Sequence, residues 1–245
     1  MDRPTLVIAR YNEDLSWLVD VPSQYNIIVY NKSQTPCDHP ICRKITVKQL
    51  TNIGKEADTY CRYILDNYDA LPETIVFSQG NPFPHSPDFL KLLGQHKSWT
   101  GFQALTSRYV DNIPPVEVFE RFSKGSTYIE RMSCYSLGSV RFHDKGVAHL
   151  SDAYLRAYQL PQGTNIMKHH FEAIGAGHLI HEETEVIPFN YSAIFAVQAH
   201  NVLAHCPIIY ENMIGRLKHP DWFEPSISER VWMTLFSYEA ESVKK

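Results

Sequence analysis

The chain has 245 residues, 44% hydrophobic and 20% charged, with a net charge of −4, which suits one large α/β domain or two small ones with a sizeable core. The acidic balance and the lack of a Lys/Arg run argue against nucleic-acid binding. No apolar run reaches the length of a membrane span, and "MDRPTLVIARYNED" lacks a signal peptide's basic start and long apolar stretch, so a cytoplasmic location is expected.

Elements follow from hydrophobic patterning. "TLVIA" (5–9) is a continuous apolar run ending in polar "RYNED", as expected of a central strand that opens into a loop. Glu13 and Asp14 can also simply begin a short helix through "LSWL". "NIIVY" (26–30) is a second strand and "KITV" (44–47) a short third. The cysteines at 37, 42, 61, 134 and 206 are odd in number and irregular in spacing, which argues against a disulfide framework. "CDHPIC" (37–42) has no second ligand pair for zinc and reads as a surface loop.

In "NIGKEADTYCRYILDNYDALP" (52–72) the apolar positions 57, 61, 64, 65 and 68 share one helical face, with Lys55, Asp58, Arg62 and Asp66 on the other. Asn52 suits the N-cap. "TIVFS" (74–78) is the next strand, and Ser86-Pro87 start a helix through "DFLKLLGQH". Beyond residue 100, "STYIERMSC", "SLGSVRF", "TEVIPF" and "SAIFAV" (192–197) read as strands. Segments 151–160, 164–175, 207–218 and 226–240 read as helices. Alternating strands and helices predict an α/β fold, a mainly parallel sheet flanked by helices, in a single domain.

Ligands of such sheets collect at the carboxyl ends of the strands. Three loops meet that condition: residues 10–14, 31–33 and 79–85. Arg10 can meet a phosphate, and Asn12, Glu13 and Asn31 can bond a base or ribose. Asn52 and Gly54 open a helix whose amides can approach a phosphate, while Glu56 suits either the helix dipole or a ligand. Gly80 permits close backbone approach, and Gln79 and Asn81 offer neutral donors and acceptors; His85 is the titratable member of that loop. Glu229 is a candidate general base, but Ser226 and Glu229 also have the spacing of a capping box. Arg230 can hold Glu229 ionised or pair with a phosphate. His169, His170, His178 and His181 cluster in sequence without a metal-site spacing, and solvated or hydrogen-bonded histidines are the simpler expectation.

Together, "VIARYNEDLSWL", "NIGKEADTYCRYILDNYDALPETIVFSQGNPFPH" and "SAIFAVQAHNVLAHCPIIYENM…SERVWMTLF" resemble a family of small glycosyltransferase-like proteins similar in layout to GT-A nucleotide-sugar transferases. The resemblance implies a GT-A-like, Rossmann-like domain with a nucleotide-sugar half (1–100) and an acceptor half (101–245). It implies a nucleotide-diphosphate sugar donor, a glycan or small-molecule acceptor, and transfer with inversion. Arg10, Tyr11, Asn12, Glu13, Asn31, Asn52, Gly54, Lys55, Glu56, Gln79, Gly80 and Asn81 fall on the donor side. His85, Ser192 and Arg230 fall on the acceptor or phosphate side, with Glu229 as the base. Gln79-Gly80-Asn81 stands where such enzymes keep Asp-x-Asp for a divalent metal, and neutral amides bind a hard cation weakly. Two routes therefore stay open: Mn or Mg held by other carboxylates, or metal-independent catalysis in which Arg10, Lys55 or the helix near Asn52 stabilises the leaving group. A non-catalytic nucleotide- or glycan-binding module and a His/carboxylate metallohydrolase are the alternatives.

Overall fold

A computed structural model describes residues 3–107, 131, 133–136, 150–181, 184, 186–219 and 223–237. Apart from Ser136, the expected strand "SLGSVRF" lies outside the described residues, as does most of "STYIERMSC".

The first four strands are β1 (Thr5–Arg10), β2 (Asn26–Asn31), β3 (Thr46–Gln49) and β4 (Thr74–Gln79). They are followed by β5 (Phe102–Ala104), β6 (Ser133–Ser136), β7 (Val186–Phe189) and β8 (Phe195–Gln198). Six of them form one sheet in the order β3-β2-β1-β4-β8-β5; β6 and β7 form a separate antiparallel ribbon. Strands β1 to β4 are mutually parallel, whereas β8 runs antiparallel to both β4 and β5. The sheet is therefore α/β and mainly parallel, as expected. β3 is displaced two residues from its expected position.

The central strands are apolar throughout because both faces of the sheet are covered. Val7, Ala9, Ile75, Phe77, Phe195 and Val197 point to one side, where the larger core lies. Leu6, Ile8, Val29, Val76 and Ala196 point to the other, against Trp17, Leu18 and Phe89. The thick side is built by α1 (Lys55–Asp66), α3 (Leu150–Ala157), α4 (Ile166–Ala173), α6 (Pro207–Leu217) and α7 (Phe223–Phe236). The thin side carries a 3-10 turn over Ser16–Asp20 and the short α2 (Phe89–Leu93); α5 (Ala199–Leu203) follows β8.

Several expectations are corrected. Helix α1 starts at Lys55 with Gly54 as its N-cap, not Asn52, because Gly54 adopts φ 62° and breaks the helix there. Asp58 is buried rather than exposed, bonded by Lys32 at 3.2 Å and Arg62 at 2.9 Å. Ser86 is buried, its hydroxyl donating to the Leu105 carbonyl, and α2 starts only at Phe89. Strand β8 starts at Phe195; Ser192 belongs to the turn before it. Cys37 and Cys42 are paired as a disulfide within the loop read from "CDHPIC", although cysteine number and spacing argued against a disulfide framework.

Candidate functional site

Register brings the sequence-predicted loops to one edge. Arg10 pairs with Asn31, Ala9 with Gln79, and Asn31 with Gln49, so the chain leaves β1, β2, β3 and β4 on the same side. Strand β8 begins at that edge, since Phe195 lies opposite Phe77. The turn before it, residues 190–194, therefore faces the same loops. The chain steps outward from β1 to β3 and then returns to β4 on the far side of β1. That reversal is the topological switch point at which α/β sheets bind ligands.

Along this edge the predicted residues divide by sheet face. Arg10 and Asn31 follow Ile8 and Val29 onto the thin side. Arg10 is buried; its Nε donates to the Glu13 carbonyl at 3.0 Å, and its Nη1 donates to Asn31 Oδ1 at 2.7 Å and the Thr35 carbonyl at 3.1 Å. Asn31 in turn donates to Ser33, Thr35 and Gln49. These two residues pin loops together, which removes them from the expected phosphate and ribose contacts. The Ser33 hydroxyl donates to Asn12 at 2.5 Å. Glu13 accepts from the Tyr11 amide at 2.6 Å and packs on Gly80, where an added Cβ would meet its Oε2 at 2.6 Å. Gly80 thus serves the packing of two loops; its carbonyl accepts from Trp17 Nε1. Tyr11 is half exposed beside them.

The thick side carries Glu56, Tyr60 and Glu229. Glu56 and Tyr60 lie one turn apart on α1, and Glu229 is close enough to act on the charge of both. Tyr60 donates to the Ala193 carbonyl at 3.1 Å, Gln79 Nε2 donates to the Ser192 carbonyl at 3.1 Å, and Glu229 Oε1 accepts from the Ser192 amide at 2.7 Å. Helix α7 begins at Phe223, three residues before the expected Ser226, so Glu229 lies inside the helix and reaches the turn instead of closing a capping box. Burial pushes the Glu56 carboxyl up to about 7; the Glu229 charge adds to the rise, while its own backbone amide, Lys55 and Lys32 oppose it. Glu56 keeps some solvent contact, yet desolvation is the dominant cause. Burial also raises the Tyr60 hydroxyl well above its usual range, with Glu56 and Glu229 contributing. His85 joins from the 79–86 loop, its ring 5.4 Å from Tyr191, and burial lowers its proton affinity.

Other expected contacts are redirected. Gly54 approaches α6, where an added Cβ would lie 2.8 Å from Leu217 Cβ, so it fits helix packing rather than a phosphate. Asn52 is exposed, and Lys55 is exposed with φ 49°. Arg230 is buried, donates to the Ser226 carbonyl at 2.6 Å and stacks on Phe189 at 4.8 Å, which removes it from the expected phosphate role. The Asn81 side-chain oxygen accepts from the Phe83 amide at 3.3 Å while Gln79 turns its NH2 to Ser192. That donor set does not fit a hard cation. Among the described residues no group of three or more His, Cys, Asp or Glu could hold a metal ion.

The histidines at 169 and 170 belong to a different cluster. His169 Nδ1 lies 2.8 Å from the Tyr154 hydroxyl; Arg216 bonds Glu224 at 2.8 Å and stacks on Tyr158 at 4.5 Å. A hollow of about 450 Å³ opens at the opposite, amino-terminal edge of the sheet, lined by Arg3, Asn26, Tyr63 and Asn67. Arg3 is committed there to the carbonyls of Ser23, Gln24 and Tyr25, and among the described residues no carboxylate lines that hollow.

Sequence reasoning missed Tyr60 and Lys32. The signal for Tyr60 was its i+4 spacing from Glu56. Lys32 follows a buried strand and donates to the carbonyls of Ile53 and Lys55, both at 2.5 Å, fixing the start of α1. The family described as "Protein of unknown function (DUF3431)" matches residues 6–245. No curated protein matches the chain. Among the described residues no helix is long and apolar enough to cross a membrane.

Proposed function

The chain belongs to the DUF3431 family, and we propose that it is a GT-A-like enzyme that transfers a glycosyl group from a nucleotide-diphosphate sugar to an acceptor hydroxyl, with inversion. The observation that carries this reading is the Glu229 carboxylate, held against the Ser192 amide at the carboxyl edge of the sheet, beside a second carboxyl at Glu56. The donor lies across the switch point between the β1 and β4 loops, with Tyr11 and Asn12 at its nucleotide end. The acceptor hydroxyl hydrogen-bonds Glu229, and its oxygen attacks the anomeric carbon from the face opposite the diphosphate. The bond from that carbon to the phosphate oxygen breaks, and the hydroxyl proton passes to Glu229. Glu56, neutral below about pH 7, spares the diphosphate a like charge at the start of α1. No step is routed through a metal, since Gln79 and Asn81 do not form a cation cradle.

A binding module without transfer is the second reading. It is favoured by the internal commitment of Arg10 and Lys32, the buried cations nearest the edge. Thermal shifts with a panel of nucleotide-diphosphate sugars, followed by assays for transfer and donor hydrolysis, separate the two. Glu229→Gln is expected to keep the donor-induced rise in Tm and lose turnover by roughly 10²- to 10⁴-fold. A rise in Tm without transfer or hydrolysis by the natural chain would establish the binding module. No rise with any donor would sink both readings.

A further inference from the structure

Ser192 (φ 63°) and Ala193 (φ 49°) are consecutive non-glycine residues in the left-handed region. Such a conformation is unfavourable for a residue with a side chain and persists only where surrounding structure imposes it. Here three elements impose it. Gln79 on β4 holds the carbonyl of the 192–193 peptide, and Tyr60 on α1 holds that of the 193–194 peptide. Glu229 on α7 takes the amide of the 191–192 peptide. Three successive peptide planes are thus each gripped by one side chain, and only one of those side chains is the candidate base. The turn is also tied from within, by Asn190 Nδ2 donating to the Ile194 carbonyl at 3.2 Å.

We propose that Tyr60 and Gln79 are positioning residues for Glu229: they fix the two carbonyl-bearing planes and so aim the Ser192 amide at the Glu229 carboxylate. This rests on the reading of Glu229 as the base. An amide donating to a carboxylate favours its ionised form and fixes the lone pair that receives a proton. A base aimed in this way is oriented before the acceptor arrives, so no reorganisation accompanies proton transfer. Tyr60 is suited to the task because its ring is locked among Phe77, Phe195 and Trp232, with centroids 4.6, 5.9 and 6.0 Å away.

The test uses Tyr60→Phe, which removes only the hydroxyl, and Gln79→Met, which removes the donor at a half-buried edge position and keeps α1 intact. The Glu229 carboxyl is titrated in each full-length protein by carbon-13 NMR, assigned by its loss in Glu229→Gln. Both variants are expected to raise the Glu229 proton affinity by about tenfold, one unit of pKa. The acid limb of the kcat profile should move up with it, and in Tyr60→Phe the KM for the donor should stay within about twofold. A Glu229 titration unchanged in both folded variants, alongside a lower Tm, would overturn the proposal and leave the two bonds purely structural. If the titration moves while no donor is turned over by the natural chain, the positioning stands and the transferase reading fails. The two failures are therefore distinguishable.

Discussion

Two faces of one sheet edge put similar residues to different uses. On the thin side, Arg10, Asn31, Ser33 and Gln49 bond one another and the backbone carbonyls around them, so polar groups there hold three loops in register. On the thick side, Glu56, Tyr60 and Glu229 surround a strained turn, and burial raises the proton affinity of Glu56 and Tyr60. A charged residue at a ligand-facing edge is therefore not by itself a ligand contact. What separates the faces is whether the charge is already matched by the groups around it. Arg10 has three acceptors of its own, whereas at Glu56 desolvation, with the Glu229 charge added, outweighs the backbone amide and the two lysines that favour its ionised form.

The largest expected effect tests the scaffold face. Arg10→Met removes a buried guanidinium and leaves the Glu13 and Thr35 carbonyls and Asn31 Oδ1 without that donor. Stability in guanidinium chloride should fall by about 3–5 kcal/mol. If stability holds while donor binding is lost, Arg10 is a ligand contact after all and the contrast between the faces breaks. Next in size is Gly54→Ala, which bears on the other face. The substitution meets both a left-handed φ and a Cβ contact of 2.8 Å with Leu217, so α1 must shift against α6. A loss of about 2–3 kcal/mol is expected. Because Glu56 and Tyr60 ride on the first turns of α1, turnover per folded molecule should fall as well. Unchanged turnover would show that the turn, rather than the helix, sets the acid face.

The central strands were legible because parallel strands covered on both sides are continuous apolar runs, as "TLVIA" and "TIVFS" are. Their shared edge followed from strand direction alone. Which face each loop residue takes was not legible. Parity within a strand places Arg10 with Ile8 and Gln79 with Phe77, but only the register of β1 on β4 reveals that these are opposite sides. The helix starts misled for local reasons. Asn52 has the chemistry of a cap, while the turn into α1 is made by the conformation of Gly54. Ser226 and Glu229 carry capping-box spacing inside a helix that had already begun at Phe223. The disulfide at Cys37 escaped because cysteine count and spacing do not report on distance in space.

The smallest effect asks whether the thick face holds its proton as described. The ordinary value for Glu56 is 4.5 and its folded value is raised to about 7. Between these pH values the folded chain binds a proton that the unfolded chain has released. The stability this contributes is complete below pH 4.5 and is lost as pH rises through 7. For a group that keeps some solvent contact, the loss is about 2 kcal/mol. Glu56→Gln carries a neutral side chain of the same shape at every pH. Its stability should match the natural chain near pH 4.5 and exceed it by about 2 kcal/mol at pH 8, as read from denaturant unfolding across that range. Had Glu56 been satisfied in the way Arg10 is, the two curves would run parallel. A slope that survives in Glu56→Gln would assign the proton to another group and remove the main electrostatic difference between the two faces.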